Sequence, residues 1–237
     1  MIYFIPLALA AEILGTVGGF GSSLFFVPLA GFFFDFHSVL GITAIFHLSS
    51  NVSKIALFRS GFDKKLILRM GIPAVAFVIL GAWLSKFFNN KLLELMLACF
   101  LIIISLILLI FKRAALKPTL YNAIGGGAFS GLTAGLLGTG GAIRGLSLAA
   151  FSLEKEVFIA TSAIIDLGID LSRSLVYFSN GYIHQHDLYL VPILLLVSIV
   201  GTFAGKKLLR LFSEQQFKYT VLSLILIVGI ITLLKQL

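Results

Sequence analysis

Hydrophobic residues follow one another along this chain in runs of about 20, the length that crosses the hydrocarbon core of a bilayer. The pattern predicts helical segments at 1–17 with 22–34, then 38–58, 66–87 and 92–111. It then predicts 119–137 with 142–152, followed by 157–178, 188–209 and 216–234. Each half thus has four segments, and the first of each half is broken by glycines. The breaks are Gly15-Thr16-Val17-Gly18-Gly19-Phe20-Gly21-Ser22-Ser23 and Gly135-Leu136-Leu137-Gly138-Thr139-Gly140-Gly141.

The halves read as copies. A shift of 119 takes His47 to Asp166, Asn51 to Asp170, Ser53 to Ser172 and Lys54 to Arg173. The same shift takes Gly19 to Gly138, Gly21 to Gly140, Ala44 to Ala163 and Pro73 to Pro192. Agreement at polar, Gly and Pro positions does not follow from apolar composition, and internal repeats are how many transporters are built. The expected organisation is a first membrane repeat at 1–111, a basic cytoplasmic linker at 112–118 and a second repeat at 119–237.

Loop charge orients the copies. Inverting one against the other gathers Arg59, Lys64, Lys65, Arg69, Lys112, Arg113, Lys117, Lys206, Lys207, Arg210 and Lys218 on one face. Only Lys86 and Lys91 remain on the other, whereas parallel copies split the basic residues almost evenly. Basic loops stay cytoplasmic, so inversion is expected. The Tyr182–Asp187 loop is then external, and the broken run 119–152 must start and finish on one side. Its arms of ~18 and ~11 residues rise about 27 and 17 Å, so the second is too short to span. That describes a re-entrant hairpin, or more generally a discontinuous helix, tipped by Gly138–Gly141. The repeat gives a second one, tipped by Gly18–Gly21, and the tips are expected to meet at half-depth.

Composition agrees: 59% of the 237 residues are hydrophobic and 12% charged, against about a quarter charged in soluble domains. The fold class is therefore an all-α polytopic membrane protein. Its 18 Lys+Arg against 10 Asp+Glu give +8, but the excess lies in loops, where it meets anionic lipid and not nucleic acid. Cys99 is the single cysteine, which leaves no disulfide framework and no Cys-based metal site. The chain opens on an apolar run without a basic flank, so a cleaved signal peptide is not expected.

Non-helical backbone at membrane depth belongs where it is buried in protein or lines a wet cavity. Helices that begin just after the breaks, near Ser22 and Ala142, would aim free N–H groups and partial positive charge at the tips. That suits an anion. The candidate binding residues are Gly18, Gly19, Gly21, Ser22, Ser23, Gly138, Thr139, Gly140, Gly141 and Arg144. The plainer reading of Gly131 and Gly135, four apart, is close helix packing.

Arg144, within an apolar run, needs either an anionic solute or an acid such as Asp166, Asp170 or Glu12. Asp166, Asp170 and Arg173 share one helical face. Asp170 and Arg173 can simply pair, whereas Asp166 has no local cation and is the better proton carrier. His47, Asn51 and Lys54 repeat that face more weakly: His47 reads as a satisfied interior residue, and Lys54 as snorkelling to the cytoplasmic surface. Coupling or gating is thus assigned to His47, Asn51, Asp166, Asp170 and Arg173. His184, His186 and Asp187 look like metal ligands but read better as a solvated loop, so no metal and no cofactor is expected.

In these motifs the chain resembles the sulfite exporter TauE/SafE family over nearly its whole length. The family's opening motif, Gly-x-x-Gly-x-Gly-Gly-Gly with Pro a few residues on, is matched well by Gly135–Gly141. In the first copy Gly18, Gly19 and Gly21 are kept and Ser22-Ser23 replace glycine. Pro28 stands where the proline is expected, and Ser147 replaces it in the second copy. The resemblance implies a multi-pass protein of the cell membrane that exports sulfite, an organosulfonate or a related sulfur oxyanion. The expected mechanism, from the intramembrane acids and the repeat, is proton-coupled alternating access around the two tips, with no enzymatic activity. The expected partners are a small anionic solute and membrane lipid, with no nucleic acid; a homodimer is compatible. Two alternatives stay open: a cation or metal transporter using Asp166 and Asp170, and an intramembrane hydrolase with Ser22 or Ser23 as nucleophile and His47 as base.

Overall fold

A computed structural model of the chain describes residues 3–110, 116–185, 188–209 and 214–236. Lys112 to Ala115 of the expected linker, His186, Asp187 and Arg210 lie outside the described residues, as does the side chain of Lys218. The described residues are all-helical, with segments close to those expected. The first half contains α1 (Phe4–Gly18), α2 (Ser23–Ala30), α3 (Phe36–Leu57), α4 (Lys64–Ser85) and α5 (Asn90–Ile110). The second contains α6 (Leu120–Leu137), α7 (Gly141–Ala149), α8 (Lys155–Ser179), α9 (Leu190–Leu208) and α10 (Glu214–Gln236).

Short polar residues start several of these helices. Asp35 accepts from the Ser38 amide at 3.1 Å, Asp63 from Leu66 at 3.0 Å and Thr119 from Asn122 at 3.2 Å. Each fills an N–H group that the helix itself cannot satisfy. Among the described residues four helices, α3, α4, α5 and α9, are long and apolar enough to cross a membrane. At 25 residues α8 has the length, but it carries charge at Asp166, Asp170 and Arg173.

The helix surfaces are largely apolar, and several charges lie inside. Leu68, Ile72, Trp83, Leu196, Val200 and Phe203 are exposed, whereas Glu12, Lys54, Arg144, Asp170 and Arg173 are buried. In water so much exposed apolar surface would aggregate; against lipid it is the solvent-facing side.

Both broken segments double back. A Cβ on Gly15 would lie 2.3 Å from the Ser22 Cα, and the Phe4 ring packs edge-on against Phe26, Phe33 and Phe34. α2 therefore returns along α1. α7 returns along α6 in the same way. Gly140 abuts Ser130, Gly126 abuts Ser147, and the Asn122 Nδ2 donates to the Ser147 carbonyl at 3.2 Å. Ser147, at the position where the family has proline, thus fills the notch that Gly126 leaves.

The helices then pack across the halves. α4 lies along α6, where a Cβ on Gly127, Gly131 or Gly135 would come within 2.2, 2.1 and 2.3 Å of the Met70, Ala74 and Val78 carbonyls. Packing is therefore what Gly131 and Gly135 do: without side chains the two backbones touch. In the matching contact α9 lies along α1, with Gly201 against Glu12 and Gly205 against Thr16. α5 packs on α10, and α3 on α8. α3 and α8 run antiparallel, because Gly41 meets Tyr182 at one end and Ser60 bonds Glu156 at 2.5 Å at the other.

Candidate functional site

The two glycine breaks meet. α1 ends on Gly19 in the left-handed conformation, φ +69°, and Gly21 follows at +85°; α6 ends on Gly138 at +77°. A side chain is strained at such φ values, so glycine is required at these three turns. A Cβ on Gly141 would lie only 1.6 Å from the Phe20 carbonyl oxygen, and the Phe20 ring covers Gly145. The Thr139 hydroxyl donates to Ser23 at 3.1 Å. Beside the tips lies a cleft of about 20 Å³, walled by Gly15, Thr16, Gly19, Gly21, Asn51, Lys54, Ser162 and Asp166 among others.

Around it stand three ion pairs. Arg144 donates from Nη2 to Asp166, and from Nε to the Ser162 hydroxyl at 2.9 Å. Asp166, which has no cation near it in sequence, therefore finds one on α7. Arg173 reaches Asp170 at 2.6 Å and also donates to the Ala134 and Gly138 carbonyls at 3.0 and 2.8 Å. It thereby ties α8 to the carbonyl end of α6, where a cation is favoured. Asp170 accepts a further 2.6 Å bond from Asn51, the residue that the shift of 119 pairs with it.

The third pair overturns one expectation. Lys54 does not snorkel to the surface: it is 6% exposed, Glu12 is 0% exposed, and the two meet at 3.0 Å. Snorkelling needs a free path to the interface, and α3 is enclosed here by α1, α8 and α9. Glu12 is also the residue that the sequence undersold. It accepts from Ser22 and Ser50 at 2.6 Å, Thr202 at 3.0 Å and Thr16 at 3.2 Å. A lone carboxylate in a long apolar run was the available signal. Its chosen cation lies 42 positions on in the chain, too far for local spacing to reveal.

Among the expected binding residues, Gly18, Gly19, Gly21, Gly138, Thr139, Gly140, Gly141 and Arg144 all gather at the tips. Ser22 turns away, its hydroxyl donating to Glu12 and lying 3.2 Å from the His47 Nε2. A nucleophile triad has the imidazole between serine and acid. Here the serine is in the middle, so the hydrolase order is absent. The cation alternative fares no better, since Asp166 and Asp170 are each committed to an arginine.

No curated protein and no solved structure matches the chain. The model of the family described as sulfite exporter TauE/SafE matches residues 4–232, nearly the whole sequence, and the chain belongs to that family.

Proposed function

We propose that the chain, a multi-pass integral membrane protein, is a secondary transporter that exports a small anion: sulfite, an organosulfonate or a related sulfur oxyanion. The observation that carries this reading is the meeting of two glycine breaks beside a cleft walled by the Lys54 ammonium. α2 and α7 both begin at the tips, so their first amides supply hydrogen bonds without the cost of bringing in a second buried charge. The family supports the sulfur-anion class and the outward direction.

Charge balance supports proton coupling. Lys54, Arg144 and Arg173 face Glu12, Asp166 and Asp170, so the interior is neutral as it stands. A bare anion added there would be an unpaired charge in a low-dielectric interior. A proton taken up with it restores neutrality. At about 20 Å³ the cleft has room for little more than a water molecule, so admitting an anion requires its walls to part. Rocking one repeat against the other about the tips does this.

The repeats are read as inverted, with re-entrant hairpins 1–34 and 119–152 entering from opposite faces. The antiparallel course of α3 and α8, with Asn51 on Asp170 at their crossing, supports that reading. So do the paired contacts α4 on α6 and α9 on α1. Thiol labelling checks it. In a Cys99→Ser background, Phe62→Cys and Gln185→Cys are expected to react from opposite faces of a sealed vesicle. These positions fall in equivalent loops, so reaction from the same face defeats inversion.

Flux into liposomes tests the transport function itself. Sulfite or isethionate is expected to accumulate when a pH gradient is imposed and to equilibrate slowly without one. Indifference to both anions, with and without the gradient, overturns the reading.

A further inference from the structure

An anion entering a balanced interior must bring a proton with it, and the three buried carboxylates are not equally able to receive one. Asp170 accepts from Arg173 at 2.8 and 2.6 Å and from the Asn51 amide at 2.6 Å. Arginine has no acceptor and does not give up its charge. Arg173 cannot withdraw either, because the Ala134 and Gly138 carbonyls hold it. A proton on Asp170 would compete with an arginine that stays charged and in place. Asp166 also faces an arginine that keeps its charge, Arg144, whose Nε is held by Ser162.

Glu12 differs in the chemistry of its neighbours. Four of its partners are hydroxyls, of Thr16, Ser22, Ser50 and Thr202. A hydroxyl donates or accepts by rotating about one bond, so a neutral carboxyl keeps its bonds when one hydroxyl turns round. Its cation is an ammonium on a flexible stem, shared with Ser50 at 2.6 Å and lining the cleft. The Ser22 hydroxyl lies between Glu12 and the His47 Nε2, giving a proton a two-step path.

The comparison between halves points the same way. Lys54 and Arg173 occupy equivalent positions and each grips the broken helix of its own half. The position equivalent to Glu12 is Gly131, which is spent on packing against α4. The second half is therefore tied by backbone carbonyls, and the first by a carboxylate.

Resting on the transporter reading above, we propose that Glu12 carries the coupling proton, and that Lys54, released when Glu12 is neutral, anchors the anion in the cleft. The charged and titratable groups around Glu12 are few. α3 brings Lys54 directly and His47 through Ser22, and α2 and α9 bring hydroxyls. Lys206 of α9 is turned to the Leu57 carbonyl, and Lys235 of α10 to Glu94. Across the cleft stand Asp166 and Arg144 as a closed pair.

Isethionate, which stays ionised throughout, is the probe, with binding to the purified full chain followed by calorimetry in buffers of different ionisation enthalpy. Wild type is expected to take up protons as it binds and to bind more weakly as pH rises. Glu12→Gln is expected to bind without proton uptake, its affinity at high pH raised to the low-pH level of wild type. Lys54→Gln is expected to bind more than tenfold more weakly at every pH.

Wild-type proton uptake in Glu12→Gln overturns the assignment while leaving the transporter reading intact. A wild-type chain that neither binds nor moves isethionate or sulfite defeats both. If Glu12→Gln alone does not purify folded, the charge-balanced pair Glu12→Gln/Lys54→Gln takes its place, with weak binding and no proton uptake expected. Proton-linked binding at wild-type affinity in that variant is the overturning result.

Discussion

Gly141→Ala is expected to yield little folded protein. The added Cβ would lie 1.6 Å from the Phe20 carbonyl oxygen, far inside van der Waals contact. Overpacking normally costs ~1–3 kcal/mol because side chains nearby shift. Here the obstacle is main chain, and main chain that is itself constrained. Phe20 lies between Gly19 at φ +69° and Gly21 at +85°, with its ring wedged over Gly145. The cost is expected at or above the top of that range, read as a lower unfolding midpoint and loss of monodisperse protein. Gly125→Ala is the control: it lies in α6 with nothing within 4 Å of the new methyl, and alanine favours a helix over glycine by about 1 kcal/mol. Equal midpoints for the two variants would mean that the tips are not in contact.

Removing the Arg173 side chain is expected to be as damaging for a different reason. Arg173→Met leaves the Asp170 carboxylate buried with only Asn51 to answer it, and strips a donor from the Ala134 and Gly138 carbonyls. Breaking a buried pair from one side costs about 3–5 kcal/mol, mostly the cost of the charge left behind. Arg173→Lys should recover little, since one ammonium cannot span a carboxylate and two carbonyls in a planar fork. Asp170→Asn/Arg173→Met removes both charges and should regain part of the loss. Thermal unfolding of the three variants in detergent orders them. A double variant no more stable than Arg173→Met would show that the stranded charge is not the main cost.

Much of this molecule is legible in its sequence. Every helix falls close to an apolar run, because a bilayer-spanning helix has a length and a polarity that can be read one residue at a time. The glycine breaks are legible too, since few residues tolerate φ near +70°. The shift of 119 relates Asn51 to Asp170, and those two side chains touch.

Which buried charge answers which could not be read in this way. Arg144 had three candidate acids, and took Asp166. Lys54 was expected at the surface, and lies against Glu12. Ser22 had no partner to be read from the chain, and bonds Glu12. Hydrophobic runs and turns are decided within a few neighbouring residues, so the chain alone determines them. Partnership among buried charges is decided by distances of a few ångströms between segments far apart in sequence. Only the packing of α9 against α1 and α3, and of α8 against α3 and α7, sets those distances.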